Sequence, residues 1–295
     1  MSFIKSPLNY TGGKYKLLPY ILPAFPQEID TFVDLFAGGF NVGINVVANK
    51  IICNDHITYL IELFEYFHES DINDLLNKIR ERIEAYNLSL TNIEGYNRLR
   101  ENYNKQRNIL DLFILTCFSF NHQIRFNSKH CFNTPFGKER SSYNKRIEEN
   151  LILFCQALNK TEIQFQNKDF LDVDLSRLTP KDLVYCDPPY LISTGSYNDG
   201  KRGFKDWTEI EEVQLLSLLD ELDSKNIKFA LSNVLYHKGL TNHLLIDWSQ
   251  KYNTLFLDKT YSNCSYHFKE KDAKTVEVLI TNYEYNNEGG LYANN

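Results

Sequence analysis

Thr31-Phe32-Val33-Asp34-Leu35-Phe36-Ala37-Gly38-Gly39, residues 31–39, decides the fold. The run from Thr31 to Phe36 is short and apolar, which predicts a strand. Ala37-Gly38-Gly39 predicts a tight turn where the backbone can pass close to a ligand. Asn41–Asn49 then reads as a helix, and Lys50–Asn54 as a second strand ending at Asp55. Strand, glycine turn, helix, strand and acid form the first half of a nucleotide-binding α/β unit. Asp55 stands where a carboxylate accepts from ribose hydroxyls. A full G-x-G-x-x-G fingerprint is missing. That disfavours a NAD-dependent dehydrogenase and suits a nucleoside ligand without a pyrophosphate.

Outward from this unit the pattern changes twice. Ile57–Phe67 reads as the next helix. Ile72–Tyr86 and Thr91–Asn108 read as polar helices, and Ile109–Phe120 as an apolar one. Asn121–Tyr143 lacks periodicity, and helical character resumes over Arg146–Leu158. Strands return at Glu162–Gln166, Leu183–Cys186, Ile227–Ser232 and Val276–Thr281. Helices are predicted over Ile210–Leu222 and Leu240–Trp248, and Tyr283–Asn295 reads as a frayed tail. The predicted architecture is one α/β domain from 1–69 and 166–295, interrupted by a helical insertion over 70–165.

Composition bounds the function. The chain has 295 residues, 43% of them apolar, and a net charge of −6. That excludes a disordered tail and a protein that coats nucleic acid by bulk positive charge. The charge is uneven, however. Between Tyr96 and Arg146 ten Lys/Arg face three acids, a net +7, which leaves −13 elsewhere. A basic insertion on an acidic body fits a local DNA contact; an ordinary solvated helical face fits it too. The abundance of Asn, Tyr, Ile and Lys matches the bias of AT-rich coding. Six cysteines, Cys264 among them, form no C-x-x-C pair, so reduced thiols and no metal are expected. No signal peptide or membrane-length apolar run is visible, so the expectation is a cytoplasmic protein.

The second motif is Asp187-Pro188-Pro189-Tyr190, directly after the apolar strand Leu183–Cys186. Two prolines restrict the backbone and remove amide donors, leaving carbonyls to accept. The Asp187 carboxylate and the Pro188 carbonyl can both accept from one planar amino group. Tyr190 can lie against a flat ring. This is chemistry for holding an –NH2 on a heterocycle.

Taken together, these motifs resemble the S-adenosylmethionine-dependent N6-adenine DNA methyltransferases, in the group containing the DNA adenine methylases of GATC-modifying systems. Tyr10-Thr11-Gly12-Gly13-Lys14 resembles the family's W/Y-x-G-G-K motif. Phe32–Gly39 resembles its F-x-x-x-F-x-G-G turn, with Phe40 where a third glycine is usual. Arg125-Phe126-Asn127 and Phe132-Asn133-Thr134-Pro135-Phe136-Gly137 resemble its R-Y/F-N … F-N-x-P-F-G recognition segment. Ser232-Asn233 and Glu277–Tyr283 match later core segments.

The resemblance implies a Rossmann-like methyltransferase fold, a mostly parallel seven-stranded sheet with an inserted target-recognition domain. It implies cofactor contacts from Tyr10, Lys14, Asp34, Phe36, Ala37, Gly38, Asp55, Asp169, Phe170 and Asp187, with Lys14 turned to the methionine carboxylate. Catalysis falls to Asp187, Pro188 and Tyr190. Base reading is expected of Arg125, Asn127, Asn133 and Pro135, either a groove contact or local capping of Asn121, and phosphate contact of Lys129, Lys138, Arg140, Lys145 and Arg146. The implied partner is double-stranded DNA carrying GATC or a related short site. A cognate restriction enzyme is compatible, with no stable complex implied; a monomer is the simpler expectation and a dimer stays open. A bacterial or phage-encoded protein is expected. Methylation of RNA adenine or of cytosine N4 is the alternative activity. A sequence-specific DNA-binding module is the non-enzymatic alternative.

Overall fold

The computed structural model describes residues 3–192, 207–257 and 275–285. In chain order these form α1 (Leu18–Ile21), β1 (Thr31–Asp34), β2 (Lys50–Asn54), α2 (Thr58–Glu69), α3 (Ile72–Ala85), α4 (Ile93–Gln106), α5 (Ile109–Phe118) and α6 (Lys145–Leu158). There follow β3 (Glu162–Gln166), β4 (Leu183–Cys186), α7 (Glu209–Ser224), β5 (Lys228–His237), β6 (Leu240–Thr241), α8 (His243–Ser249), β7 (Asn253–Phe256) and β8 (Thr275–Thr281). Cys264 and the tail from 286 onward lie outside the described residues.

Seven strands lie on one path, β3-β2-β1-β4-β5-β8-β7, and the two-residue β6 pairs with β5 beside it. The first five are mutually parallel. Strand β8 runs antiparallel to both β5 and β7. This is the mostly parallel α/β sheet that the motifs imply. Its central strands are buried on both faces, so they read as continuous apolar runs and not as alternations. Phe32 and Tyr185 point to one core and Val33 and Val184 to the other, as the two-residue period of a strand requires. Helices α2, α5 and α6 cover the first face through Phe64, Phe113 and Phe154. Helices α7 and α8 cover the second through Leu215, Leu219 and Leu245. The first core runs without a break into α3 and α4 at Leu75 and Tyr96. Segment 70–165 therefore shares its core with the sheet, and its last residues enter the edge strand β3.

Three sequence expectations are corrected. Asn41–Asn49 is not a helix; one 3-10 turn, Gly43–Asn45, is all that forms. The Asn41 and Asn45 side chains accept from the Ser6 and Ile4 amides at 3.0 and 2.8 Å. These bonds stitch the amino-terminal segment to the turn, and they compete with helix formation. The helix expected over Leu240–Trp248 begins at His243, because Gly239 takes φ +89° and Leu240–Thr241 folds back on β5. The helix expected over Ile109–Phe120 stops at Phe118, where Ser119 bridges to Phe136. Strand β7 carries no signal that the sequence reading detected.

Phe40 occupies the left-handed region at φ 56° and is fully buried. Its ring packs 5.7 Å from that of Phe64 and 6.4 Å from that of Phe154. The residue thus trades backbone strain of about 1 kcal/mol for aromatic burial. Phe40→Gly should relieve the strain yet destabilise the protein by about 3 kcal/mol, since the lost ring leaves a cavity. A urea denaturation midpoint equal to or above that of the parent would contradict this.

Candidate active site

Strand order reverses between β1 and β4, and a crevice opens beyond the carboxyl ends of strands at such a switch point. Asp34 ends β1, Asp187 follows β4, and Asp55 follows β2. Asp34 and Tyr185 are register partners, so the two functional segments leave the sheet side by side.

The glycine turn is fastened at its far side. Ala37 donates its amide to the Asn54 carbonyl and Gly38 to Asp55 Oδ2, both at 2.8 Å. Gly38 takes φ +50°, and a Cβ there would sit 3.2 Å from the Tyr10 ring. Glycine is needed for both reasons. Asp55 Oδ1 accepts from the Ile57 amide at 2.9 Å. Burial raises the Asp55 pKa, against the opposing pull of His56 and of the two amides. Asp34 Oδ2 accepts from the Gly43 amide at 3.0 Å, while Oδ1 is shielded and has no hydrogen-bond partner among the described residues. Burial pushes this carboxyl up to about 8.

Lys14 is buried at the centre of the site. Its ammonium lies 2.8 Å from Asp187 Oδ1, 3.2 Å from Glu277 Oε1 and 2.5 Å from the Tyr190 hydroxyl. It also donates to the Gly12 carbonyl at 3.2 Å. Burial favours the neutral amine, but the Asp187 and Glu277 carboxylates prevail and hold the Lys14 pKa above its ordinary value. Asp187 is raised by burial to about 6, with Lys14 pulling it down. The structure thus commits Lys14 to Asp187 and Glu277, where the sequence reading turned it to a ligand carboxylate.

Ten expected residues line one cleft of about 690 Å³: Tyr10, Lys14, Asp34, Phe36, Ala37, Gly38, Asp55, Asp187, Pro188 and Tyr190. Asp169 and Phe170 line a smaller adjoining pocket that shares Phe36, His56 and Pro189 with it. Asp169 accepts from the Leu171 amide at 3.1 Å, capping a short turn. In this second pocket Trp207, which the sequence reading missed, packs 5.6 Å from Phe36 and 5.7 Å from Phe170. The indole donates to Glu212 Oε2 at 2.6 Å. Glu212 is fully buried and also accepts from Asn233 and Asn242. Glu277 was missed as well, except as part of a core segment.

The residues suit a nucleoside ligand bearing a cationic amino-acid arm. The unpartnered Asp34 oxygen calls for a donor or a cation, Asp55 retains lone pairs for hydroxyls, and Phe36, Phe170 and Trp207 offer an aromatic pocket. Among the described residues no group of His, Cys, Asp or Glu is placed to hold a metal ion. No helix among them is long and apolar enough to cross a membrane.

Residues 119–136, which hold the motifs expected to read DNA, form a hairpin clamped from behind by α4. The Phe132 amide donates to Asn104 Oδ1, and Asn104 Nδ2 donates back to the Phe132 carbonyl. Tyr96 donates its hydroxyl to the Thr134 carbonyl at 2.8 Å. Asn121, Arg125, Lys129, Pro135, Lys138, Arg140, Lys145 and Arg146 are exposed. Asn127 is used differently from the expectation: its Oδ1 accepts from the Lys129 and Cys131 amides and shapes the hairpin turn. The Asn133 amide donates to the Arg125 carbonyl, and its Oδ1 is shielded without a partner. Arg140 lies over the Phe120 ring at 5.1 Å. Asn9 Nδ2 donates to the Asn121 carbonyl, tying the amino-terminal motif to the hairpin.

A mostly parallel sheet of this order, with a glycine turn after β1 and Asp-Pro-Pro-Tyr after β4, is the Rossmann-like methyltransferase fold. The chain belongs to the D12 class N6 adenine-specific DNA methyltransferases, whose family model matches residues 10–276. It is 53% identical over 282 residues to the type II methyltransferase M.FokI of Planomicrobium okeanokoites, covering 96% of this chain and 43% of the relative. Modification methylase StsI of Streptococcus sanguinis is 50% identical over 284 residues, with the same shares. The DNA adenine methylase of Escherichia coli K12 is 26% identical over 239 residues, 77% of this chain and 79% of that one. The chain spans less than half the length of the first two relatives. Membership of the family implies S-adenosylmethionine as methyl donor.

Asp34 has a folded-state pKa above its unfolded value, so it favours the folded state at low pH and loses that contribution as pH rises toward 8. Asp34→Asn keeps an acceptor for Gly43 and removes the ionisation. The ligand-free variant should therefore gain stability relative to the parent as pH rises from 5 to 8, then level off. Parallel urea midpoints across that range would refute the assignment.

Proposed function

We propose that this chain transfers a methyl group from S-adenosylmethionine to the N6 amine of an adenine flipped out of duplex DNA, within GATC or a related short site. The observation that carries this reading is the single cleft joining Asp34, Asp55 and the glycine turn to Asp187, Pro188 and Tyr190. A cofactor site and an amine-accepting site share one space.

The adenine N6 lone pair is delocalised into the ring, and in a duplex the amine is paired and stacked. Extruding the base removes both obstacles to access. Asp187 then accepts one N6–H, and the Pro188 carbonyl accepts the other. Acceptance by both draws the amine toward a pyramidal nitrogen with its lone pair directed at the donor. Asp187 is fixed through Oδ1 by Lys14 and Tyr190, while Oδ2 makes no hydrogen bond among the described residues. That oxygen is our assignment for the amine acceptor. S-adenosylmethionine, when bound, supplies a methyl group on a positively charged sulfur. As the nitrogen–carbon bond forms and the carbon–sulfur bond breaks, N6 sheds a proton toward Asp187. Orientation and placed acceptors account for the rate enhancement.

For the cofactor, Asp34 faces the cationic arm, Asp55 the ribose, and Phe36 with Asp169 and Phe170 the adenine. Tyr10 and Gly38 form the floor where the backbone comes close. Segment 70–165 is assigned to target recognition. Arg125 and Asn133 read base edges from the hairpin, with Asn121 and Pro135 beside them. Lys129, Lys138, Arg140, Lys145 and Arg146 grip phosphates. A monomer acting on one strand at a time, beside a restriction enzyme of the same system, fits this reading.

Labelled S-adenosylmethionine and unmethylated duplex DNA should yield N6-methyladenine; none, from folded protein on diverse DNA, refutes the activity. Asp187→Ala should lower transfer by about 1,000-fold while cofactor binding by calorimetry changes little. Wild-type kcat should fall as pH drops through about 6, the value to which burial raises Asp187, because the protonated acid no longer accepts. Neutralising Arg140 and Lys145 together should weaken DNA binding and reduce the log–log salt slope by about 2. An unchanged slope places the phosphate contacts elsewhere.

A further inference from the structure

Glu277 lies at one side of the Lys14 cluster, on β8, two strands from the Asp187 strand. Its backbone is held by β8 pairing on both sides and by the Leu257 amide, which donates to the Glu277 carbonyl at 3.0 Å. Its Oε1 meets the Lys14 ammonium at 3.2 Å and accepts from the Tyr190 hydroxyl at 2.9 Å. Asp187 Oδ1 meets the same two groups, at 2.8 and 3.1 Å. Two carboxylates therefore share one ammonium and one hydroxyl. A phenol has a single proton, so Tyr190 satisfies only one of them at a time, whereas Lys14 has three donors.

We propose that Glu277 is a positioning residue that holds Lys14 and Tyr190 between two carboxylates, so that Asp187 is anchored through Oδ1 yet keeps Oδ2 as a strong acceptor for the substrate amine. The inference rests on the reading of Asp187 given above. Without Glu277 the Lys14 charge falls wholly on Asp187. The ammonium can then close on both Asp187 oxygens, which occupies Oδ2 and weakens it as an acceptor. Tyr190 also loses one of the two carboxylates that its hydroxyl faces, keeping Asp187 and Lys14. Glu277 is about one-quarter exposed, against one-twentieth for Lys14, so it forms the more solvent-accessible side of the cluster. The charged and titratable groups around Asp187 are Lys14 from the amino-terminal motif, Glu277 from β8, Asp34 from β1, Tyr185 and Cys186 from β4, and Tyr190. Glu277 opposes ionisation of Asp187, and Lys14 favours it.

The test compares wild type, E277Q and E277D. E277Q retains an acceptor for Lys14 and Tyr190 and removes the charge. Its kcat for methyl transfer should fall roughly tenfold, with KM for S-adenosylmethionine within about twofold. The acid limb of its pH–rate profile should move to lower pH, because a charge that opposed Asp187 ionisation is gone. E277D should recover most of kcat and the wild-type limb. A carbon-13 titration of labelled aspartate carboxyls, with D187N assigning the resonance, reads the same shift in the folded protein without turnover. A wild-type kcat and limb in E277Q would overturn the proposal. So would a joint loss of kcat and cofactor affinity with no movement of the limb, which marks a merely structural role. Should wild type transfer no methyl, the activity fails, and the titration still decides the network: equal Asp187 midpoints in wild type and E277Q overturn it.

Discussion

One buried ammonium organises the centre of this molecule. Strands β1, β2 and β4 deliver Asp34, Asp55 and Asp187 to the same crevice, and β8 adds Glu277 from the antiparallel side. A buried carboxylate lacking compensation costs several kcal/mol, of the order found when one partner of a buried pair is removed. Lys14 is the cation placed between two of these acids, and it can be there only because the amino-terminal segment folds back over the glycine turn. Asp34 is held by one backbone amide, and Asp55 by two, with the His56 ring nitrogen 3.7 Å from its Oδ1. The shielded Asp34 Oδ1 and the remaining lone pairs of Asp55 give the cleft acceptors for an ammonium and for hydroxyl donors. A sulfonium nucleoside brings both.

Asparagine is the second recurring device. Its abundance first reads as a coding bias, yet its side chains carry much of the local architecture. Asn92, Asn108, Asn144 and Asn242 cap helices with their side-chain oxygens. Asn41 and Asn45 bind the amino-terminal backbone, and Asn104 pairs with the Phe132 backbone as a strand would. Each places a carbonyl and an amide donor where irregular backbone would otherwise go unpaired. The recognition hairpin has few regular ladder bonds, so it depends on such side chains for its shape.

Phe40 links the two halves of the fold. Where a glycine would leave the turn free, this ring ties it to Phe64 on α2 and Phe154 on α6. The glycine turn and the helical segment are thereby packed as one body. The continuous core from Phe32 to Tyr96 follows the same logic. The cleft and the hairpin are joined by this packing, and the Asn9 side chain adds a second tie by donating to the Asn121 carbonyl.

The central strands were legible in the sequence because burial on both faces writes itself as an apolar run, and because Asp34, Asp55 and Asp187 stand just where those runs stop. The cleft residues were legible from motifs, since chemistry at a strand end constrains neighbours in the chain. Strand β7 was not legible: it is a short strand that, among the described residues, pairs with β8 alone. The failed helix at Asn41–Asn49 was misread because its asparagines bond to Ile4 and Ser6, more than thirty residues away. The same limit hid Glu277, paired with Lys14, and the Trp207–Glu212 pair, whose remaining partners Phe36, Phe170, Asn233 and Asn242 are distant in the chain. By itself the sequence determined which residue types meet at each strand end. Only the tertiary structure decided which carboxylates share the one ammonium, because side-chain pairing across the sheet depends on strand order, and strand order is not written in local periodicity.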